Sequence, residues 1–346
     1  MNRKPLLLGA GLLALSSPAL ADHMGPSGFG SGGGMSVFGP DTLDESHWSA
    51  GLRVTYTRPE QRPDAELEAL AGQQIHAHNT DHNLNASAGV AYGVNHHLTV
   101  SVEVPYVRRD DLREGTHSHV GGVAVNGVEQ LGSVAGIGDM SLLAKYRLSD
   151  GGTAGLALIG GIKVPTGSTH KRSPDGERLE TEHQPGTGSW DPILGASASA
   201  KMGAVQLTAS AIYQFSTQGA QHTRLGDRFQ GGIALSHRFG QAAHEHPESH
   251  NHHHGDELDE HHEEPAHSTW VVFAELAGEW EGRQAIDGDV EQASGGKWLY
   301  FAPGVRFNAA SGWSAGAAIA LPVWQDIRDS HPDNRFRVML SVGRAF

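Results

Sequence analysis

From Trp48 to the carboxyl end, apolar and polar residues alternate with a period of two in twelve segments of 10 to 13 residues. Successive side chains on a strand point to opposite faces, so each segment reads as a β-strand with one apolar face. Trp48, Ala50, Leu52, Val54 and Tyr56 interleave with Ser49, Gly51, Arg53 and Thr55. Phe336, Val338, Leu340, Val342 and Phe346 do so with Arg335, Arg337, Ser341 and Gly343. Similar runs start near Leu98, Met140, Val205 and Trp270, and weaker ones cover 84–94, 154–165, 190–202, 228–239, 297–308 and 314–324. Strands of soluble domains usually run about 5–6 residues, whereas a strand crossing a bilayer needs about 9–11. The expected fold is all-β: a transmembrane, antiparallel, up-and-down β-barrel of about twelve strands.

Periodicity alone does not say whether the apolar face points inward or outward. Three features favour outward. Aromatic residues sit at strand ends (Trp48, Tyr56, Tyr106, Tyr146, Phe215, Trp270, Trp280), where membrane barrels place their interfacial girdles. The strand count is even. Residues 1–21 read as a secretory signal peptide: Arg3 and Lys4, an apolar core from Leu6 to Leu15, then Ala19-Leu20-Ala21 before the cut. The mean hydropathy of −0.37 reads as soluble because half of each strand faces a polar lumen. The terminal Phe346 fits an outer-membrane sorting signal read by the barrel-assembly machinery. The expected location is the outer membrane of a Gram-negative bacterium, with its lipid as a partner. A net charge of −14 argues against nucleic acid, which calls for a basic patch. The absence of Cys excludes thiolate metal sites and disulfides.

The connections support this count. With both ends in the periplasm, the long connections 58–83, 109–135 and 166–189 face outward, and the short ones at 95–97, 149–153, 203–204 and 309–313 face the periplasm. The chain thus divides into a signal peptide (1–21), a Gly-rich tail or plug (22–45) and the barrel (46–346). Residues 240–268 break the rule, as a long insertion on the periplasmic side.

That insertion holds nine histidines, His244, His246, His250, His252, His253, His254, His261, His262 and His267, with eight carboxylates and no Lys or Arg between 244 and 267. Neutral imidazole with carboxylate suits divalent zinc, copper, nickel or cobalt, so the tract is a candidate metal binder; no cofactor is otherwise required. His76, His78 and His82 form a second candidate, on the first outer connection. Inward strand positions carry Arg53, Glu103, Lys145, Arg147, Glu275, Glu279, Arg335 and Arg337. These mixed charges are expected to pair across the lumen and narrow the path. Ser236 and His237 are adjacent on a strand and so point to opposite faces; no catalytic dyad is expected, and the chain reads as a non-enzyme.

The segment Gly136-Ile137-Gly138-Asp139-Met140-Ser141-Leu142-Leu143-Ala144-Lys145-Tyr146-Arg147-Leu148 and the run Lys163-Val164-Pro165-Thr166-Gly167 resemble recurrent pieces of a bacterial outer-membrane β-barrel transporter family named after the phenol-degradation meta pathway. The glycine-rich start after the signal peptide is similar as well. The resemblance implies a barrel and passage of small, aromatic or hydrophobic molecules. The His-rich tract departs from it. The leading expectation is therefore an outer-membrane channel or transporter with divalent metal as cargo or regulator. The alternatives are a passive channel for small organic compounds and a non-conducting structural barrel.

Overall fold

The computed structural model describes residues 33–149, 153–240 and 268–346. The signal peptide and the nine histidines from His244 to His267 lie outside the described residues. Twelve long antiparallel strands form the barrel. They are β1 (Trp48–Pro59), β2 (His82–Asn95), β3 (Leu98–Val120), β4 (Val123–Ile137 continued by Met140–Arg147), β5 (Ala154–Val164) and β6 (Asp191–Met202). They continue as β7 (Val205–Gln214), β8 (Arg228–Phe239), β9 (Thr269–Glu281), β10 (Gly296–Asn308), β11 (Trp313–Ile327) and β12 (Asn334–Ala345). Each pairs with its chain neighbours, and β1 pairs with β12 from Ser49 opposite Ala345 to Pro59 opposite Asn334. The sheet is closed and has no free edge, which is how a β-structure satisfies its backbone in lipid. Trp48 and Phe346 seal the seam by exchanging backbone hydrogen bonds of 2.8 and 2.9 Å.

The outward face settles what periodicity could not. Leu52, Val102, Leu142, Leu158, Leu194, Ile233, Phe301, Ile319 and Leu340 are all exposed around the barrel wall. A soluble protein rarely leaves so continuous an apolar belt to water. Aromatic rings edge it: Trp48 on Tyr92 and Trp270 on Phe307 at the periplasmic end, with centroids 4.6 and 4.8 Å apart, and Tyr213 against Phe215 at the outer end. The protein is an outer-membrane barrel. Leu340→Arg, in the middle of β12 and 50% exposed, is expected to cost about 2–4 kcal/mol of folding free energy in a bilayer. Ser341→Arg, on the lumen side, is expected to cost far less. Urea titration of refolded protein in vesicles measures both; equal costs would contradict an outward apolar face.

The structure corrects the expected outer connection 109–135. It is a strand hairpin: β3 and β4 stay paired from Tyr106 opposite Ile137 up to Val120 opposite Val123. A bulge at Asp111 (φ 55°) and Gly132 (φ 76°) lets the ribbon bend where it leaves the wall. Both faces of this part meet water or other connections, so the period-two signal fades although the backbone pairing persists. A short helix, α1 (Asp64–Ala71), packs on this hairpin with Leu67 and Ala71 buried.

Candidate functional site

The lumen is built from the inward residues of the same strands, and the amino-terminal tail fills its middle. Thr42 donates to the carbonyl of His96 (2.8 Å) and the Leu43 amide to Thr99 Oγ1 (2.8 Å), at the periplasmic rim. Deeper in, Lys145 Nζ donates to the Gly39 carbonyl (3.1 Å), the Phe38 amide to Ser210 Oγ (3.0 Å) and Arg306 Nη2 to the Gly34 carbonyl (2.6 Å). Glu275, 1% exposed, accepts the amides of Met35 (2.6 Å) and Ser36 (3.1 and 3.2 Å). Glycine at position 34 permits this approach: a Cβ there would lie 2.0 Å from Glu275 Oε2, so the carboxylate would have to shift away from the Met35 and Ser36 amides. The tail is therefore a plug from residue 33 onward, the option that sequence left open.

Two apolar patches inside the barrel receive this plug. Met35 packs among Phe273, Trp298, Tyr300, Ala302, Ala318, Ala320 and Met339, contributed by β9 to β12. Phe38 packs against Leu143, Ile159, Ile193 and Ile212 of β4 to β7. Sequence reasoning read the inward face as polar and missed both patches. The signal was present, because Phe273, Trp298 and Tyr300 occupy inward parity.

Most of the charges expected in the lumen are there. Arg53 and Glu103 are buried, and Arg53 interacts electrostatically with Glu103 and Glu275. Arg337 contacts Glu279 at 2.5 Å and lies 4.1 Å from the Tyr300 ring centroid. Lys145 holds the plug, and Arg147 is half-buried near the periplasmic end of β4. Arg335 is the exception: it is exposed at the outer end of β12, next to the register shift at Arg58 and Pro59, where the lumen opens out.

The two motif segments meet at a clasp under the outer mouth. Lys163 Nζ lies 2.8 Å from Asp139 Oδ2 and 3.0 Å from Asp191 Oδ2, all three deeply buried. Asp139 also accepts the amides of Gly167 (2.9 Å) and Thr187 (2.8 Å). Gly167 lies against Gly186; a Cβ on it would meet the Gly186 Cα at 2.5 Å. The clasp fastens both ends of the connection 165–190 to the wall, which gives the Gly138-Asp139 and Lys163-to-Gly167 segments a physical purpose.

Above the clasp the outer connections converge. His78–Asn79 pairs as a short strand with Arg113 and Glu114 of β3. This brings His78 beside Glu182 and His183 of the connection 165–190, and its ring also meets His331 of the connection 328–333. His76 lies 3.6 Å from Glu114, whose carboxylate pulls the imidazole up to about 9. Burial pushes the Glu182 carboxyl well above the usual range. His82 goes elsewhere: it contacts Asp81 (3.2 Å) and Asp110 (2.9 Å). The sequence triplet His76, His78 and His82 is thus not one unit. His183, Glu182, Glu114 and His331 arrive from connections that sequence spacing could not relate.

Closed strands, a lipid-facing belt and a plugged polar lumen define the class: an outer-membrane β-barrel. The model of the family described as "Putative MetA-pathway of phenol degradation" matches residues 80–245. Both motif segments fall within that stretch, and the chain resembles this family. No curated protein matches the sequence. Among solved structures, an outer-membrane channel from Pseudomonas putida F1 is similar at 16% identity and a TM-score of 0.53, over 88% of this chain and 97% of that one. LpxR from Salmonella typhimurium (10% identity, TM-score 0.38, 85% and 99% covered) is more distant. So is a mutant of the monoaromatic hydrocarbon channel TodX (10%, 0.39, 88% and 90%). The first shares the fold; the other two, below 0.5, bear no weight.

Proposed function

We propose that this barrel is a passive channel for small organic solutes with apolar or aromatic parts. The observation that carries this reading is the apolar wall of Phe273, Trp298, Tyr300 and Met339 inside the lumen, already covered by the Met35 side chain of the plug. A water-filled pore for ions has no use for a buried Trp and Phe on its inner wall, whereas binding pockets for organic molecules are lined largely by such groups. Charged groups flank the wall, Arg337 with Glu279 on the outer side and Arg306 with Arg53 on the inner, so a solute with one polar end finds partners along the way. The description of the matched family, and the channel named in the similar structure, agree with this reading.

The test is permeation by benzenesulfonate, an aromatic anion that crosses lipid poorly. Its permeability relative to methanesulfonate is read from reversal potentials in planar bilayers. Wild-type protein is expected to favour the aromatic anion beyond its aqueous mobility, and Trp298→Leu to lose several-fold of that preference. A ratio that tracks mobility alone overturns the reading. Passage of zinc ions in place of either anion would return metal to the role of cargo.

A further inference from the structure

We propose that the outer mouth holds one divalent transition-metal ion, of zinc type, between His78, Glu182 and His183. The site lies beyond the channel reading and does not depend on it. One ligand atom from each residue lies within 4.8 Å of the others, and all three residues are buried. Glu182 Oε1 is 3.8 Å from His78 Nδ1 and 3.7 Å from His183 Nε2. A tetrahedral zinc ion with bonds of about 2.0–2.1 Å sets its ligand atoms about 3.3 Å apart. The two edges that meet at Glu182 are therefore within about half an ångström of that spacing, and the imidazole–imidazole edge, within 4.8 Å, closes by side-chain rotation. Two histidines and one glutamate form a known zinc set that keeps a fourth position open.

The surroundings are those of a built site. His331 Nδ1 lies 2.9 Å from His78 Nε2, which directs the other ring nitrogen toward Glu182; a partner on the far nitrogen is the usual way a ligating imidazole is oriented. Arg109 Nη1 donates to the His183 carbonyl at 2.7 Å and fixes its backbone. Among the described residues, the positive charge within 4 Å of Glu182 comes from the imidazoles of His78 and His183. A divalent ion would supply the missing charge, since buried carboxylates are costly unless paired or bound to metal.

There is also a way in. A cavity of about 470 Å³ reaches His183 from the surface, lined by His76, Glu114, Glu129 and Glu180. His76, Glu114 and Glu180 form a second, shallower group with ligand atoms within 4.8 Å of one another. Glu114 links the two, at 3.6 Å from both His76 Nδ1 and His183 Nε2. His78 belongs to the connection between β1 and β2, and Glu182 and His183 to that between β5 and β6. The ion would therefore staple two outer connections that are distant in sequence.

The test must separate this site from the nine histidines of 244–267, so it reads cleavage at named bonds in the full chain. Purified protein in detergent is digested with trypsin with and without zinc, and cuts at Lys171, Arg172 and Arg178 are followed by mass spectrometry. At zinc about 100-fold above its Kd, the open population falls about a hundredfold, so cutting at these bonds is expected to slow by up to that factor. A variant with the nine tract histidines replaced by Asn should keep the protection and retain one zinc per chain after desalting. Adding His183→Gln, or separately His78→Gln, to that variant should abolish both, with heat-modifiable migration confirming a folded barrel; His82→Gln should keep both. The proposal is overturned if zinc fails to protect the wild type, if the tract variant loses protection, or if folded His183→Gln and His78→Gln proteins are protected as well as the wild type.

Discussion

Lys163→Met is expected to destabilise the folded barrel by about 3–5 kcal/mol, the range found when one partner of a buried ion group is removed. Lys163 lies between Asp139 and Asp191, at 2.8 and 3.0 Å, with the side chains of both carboxylates only 2% exposed. Without the ammonium, two buried negative charges face each other. Their remaining partners, the Gly167 amide, the amides and hydroxyls of Thr187 and Thr217, and the Gln214 side chain, donate hydrogen bonds but carry no formal charge. The loss should register as a lower urea midpoint for refolded protein in lipid vesicles, and as faster tryptic cutting in the connection 165–190 that the clasp anchors. Adding Asp139→Asn and Asp191→Asn should recover much of the loss, because replacing a whole buried ion group is often close to neutral. A cost below about 1 kcal/mol for Lys163→Met would mean that water reaches the clasp and screens it, as at surface pairs.

Releasing the plug should raise single-channel conductance several-fold. Glu275→Ala removes the acceptor for the amides of Met35 and Ser36; hydrogen bonds to a charged group contribute roughly 1.5–3 kcal/mol each. At about 1.4 kcal/mol per tenfold, the docked-to-released ratio should fall about a hundredfold or more. Gly34→Val approaches the same contact from the tail, since any Cβ at that position collides with the Glu275 carboxylate. Both variants should show longer or larger openings in planar bilayers, and deletion of residues 33–40 should set the upper limit. Unchanged conductance in the deletion would place the closure elsewhere, with the Arg337–Glu279 level as the next constriction to examine.

These predictions rest on unequal kinds of information in the chain. Strand number, strand direction and the two faces were legible because they are local: parity puts Leu340 and Ser341 on opposite faces, strand length and aromatic ends point the apolar one to lipid, and the short turns at 96–97 and 203–204 set which end is which. Phe346 could be placed on the apolar face of the last strand for the same reason, whereas its pairing with Trp48 at the seam came from the closed sheet. The hairpin from Val107 to Val134 was not legible, since faces that meet water in part and other connections in part lose the hydrophobic alternation while the hydrogen-bond ladder stays intact. Arg335 was placed one step too deep, because parity gives a face and says nothing of height.

The sequence by itself determined that this chain closes into a lipid-facing barrel, because a period of two over a membrane-length strand is a property of neighbouring residues. Only the tertiary structure decided what the barrel encloses. Met35 reaches Glu275, Lys163 reaches Asp191, and His78 reaches His183 across connections whose paths depend on closure of the whole sheet. Contacts of that kind are fixed by the strand register around the barrel, which the spacing of residues along the chain does not record.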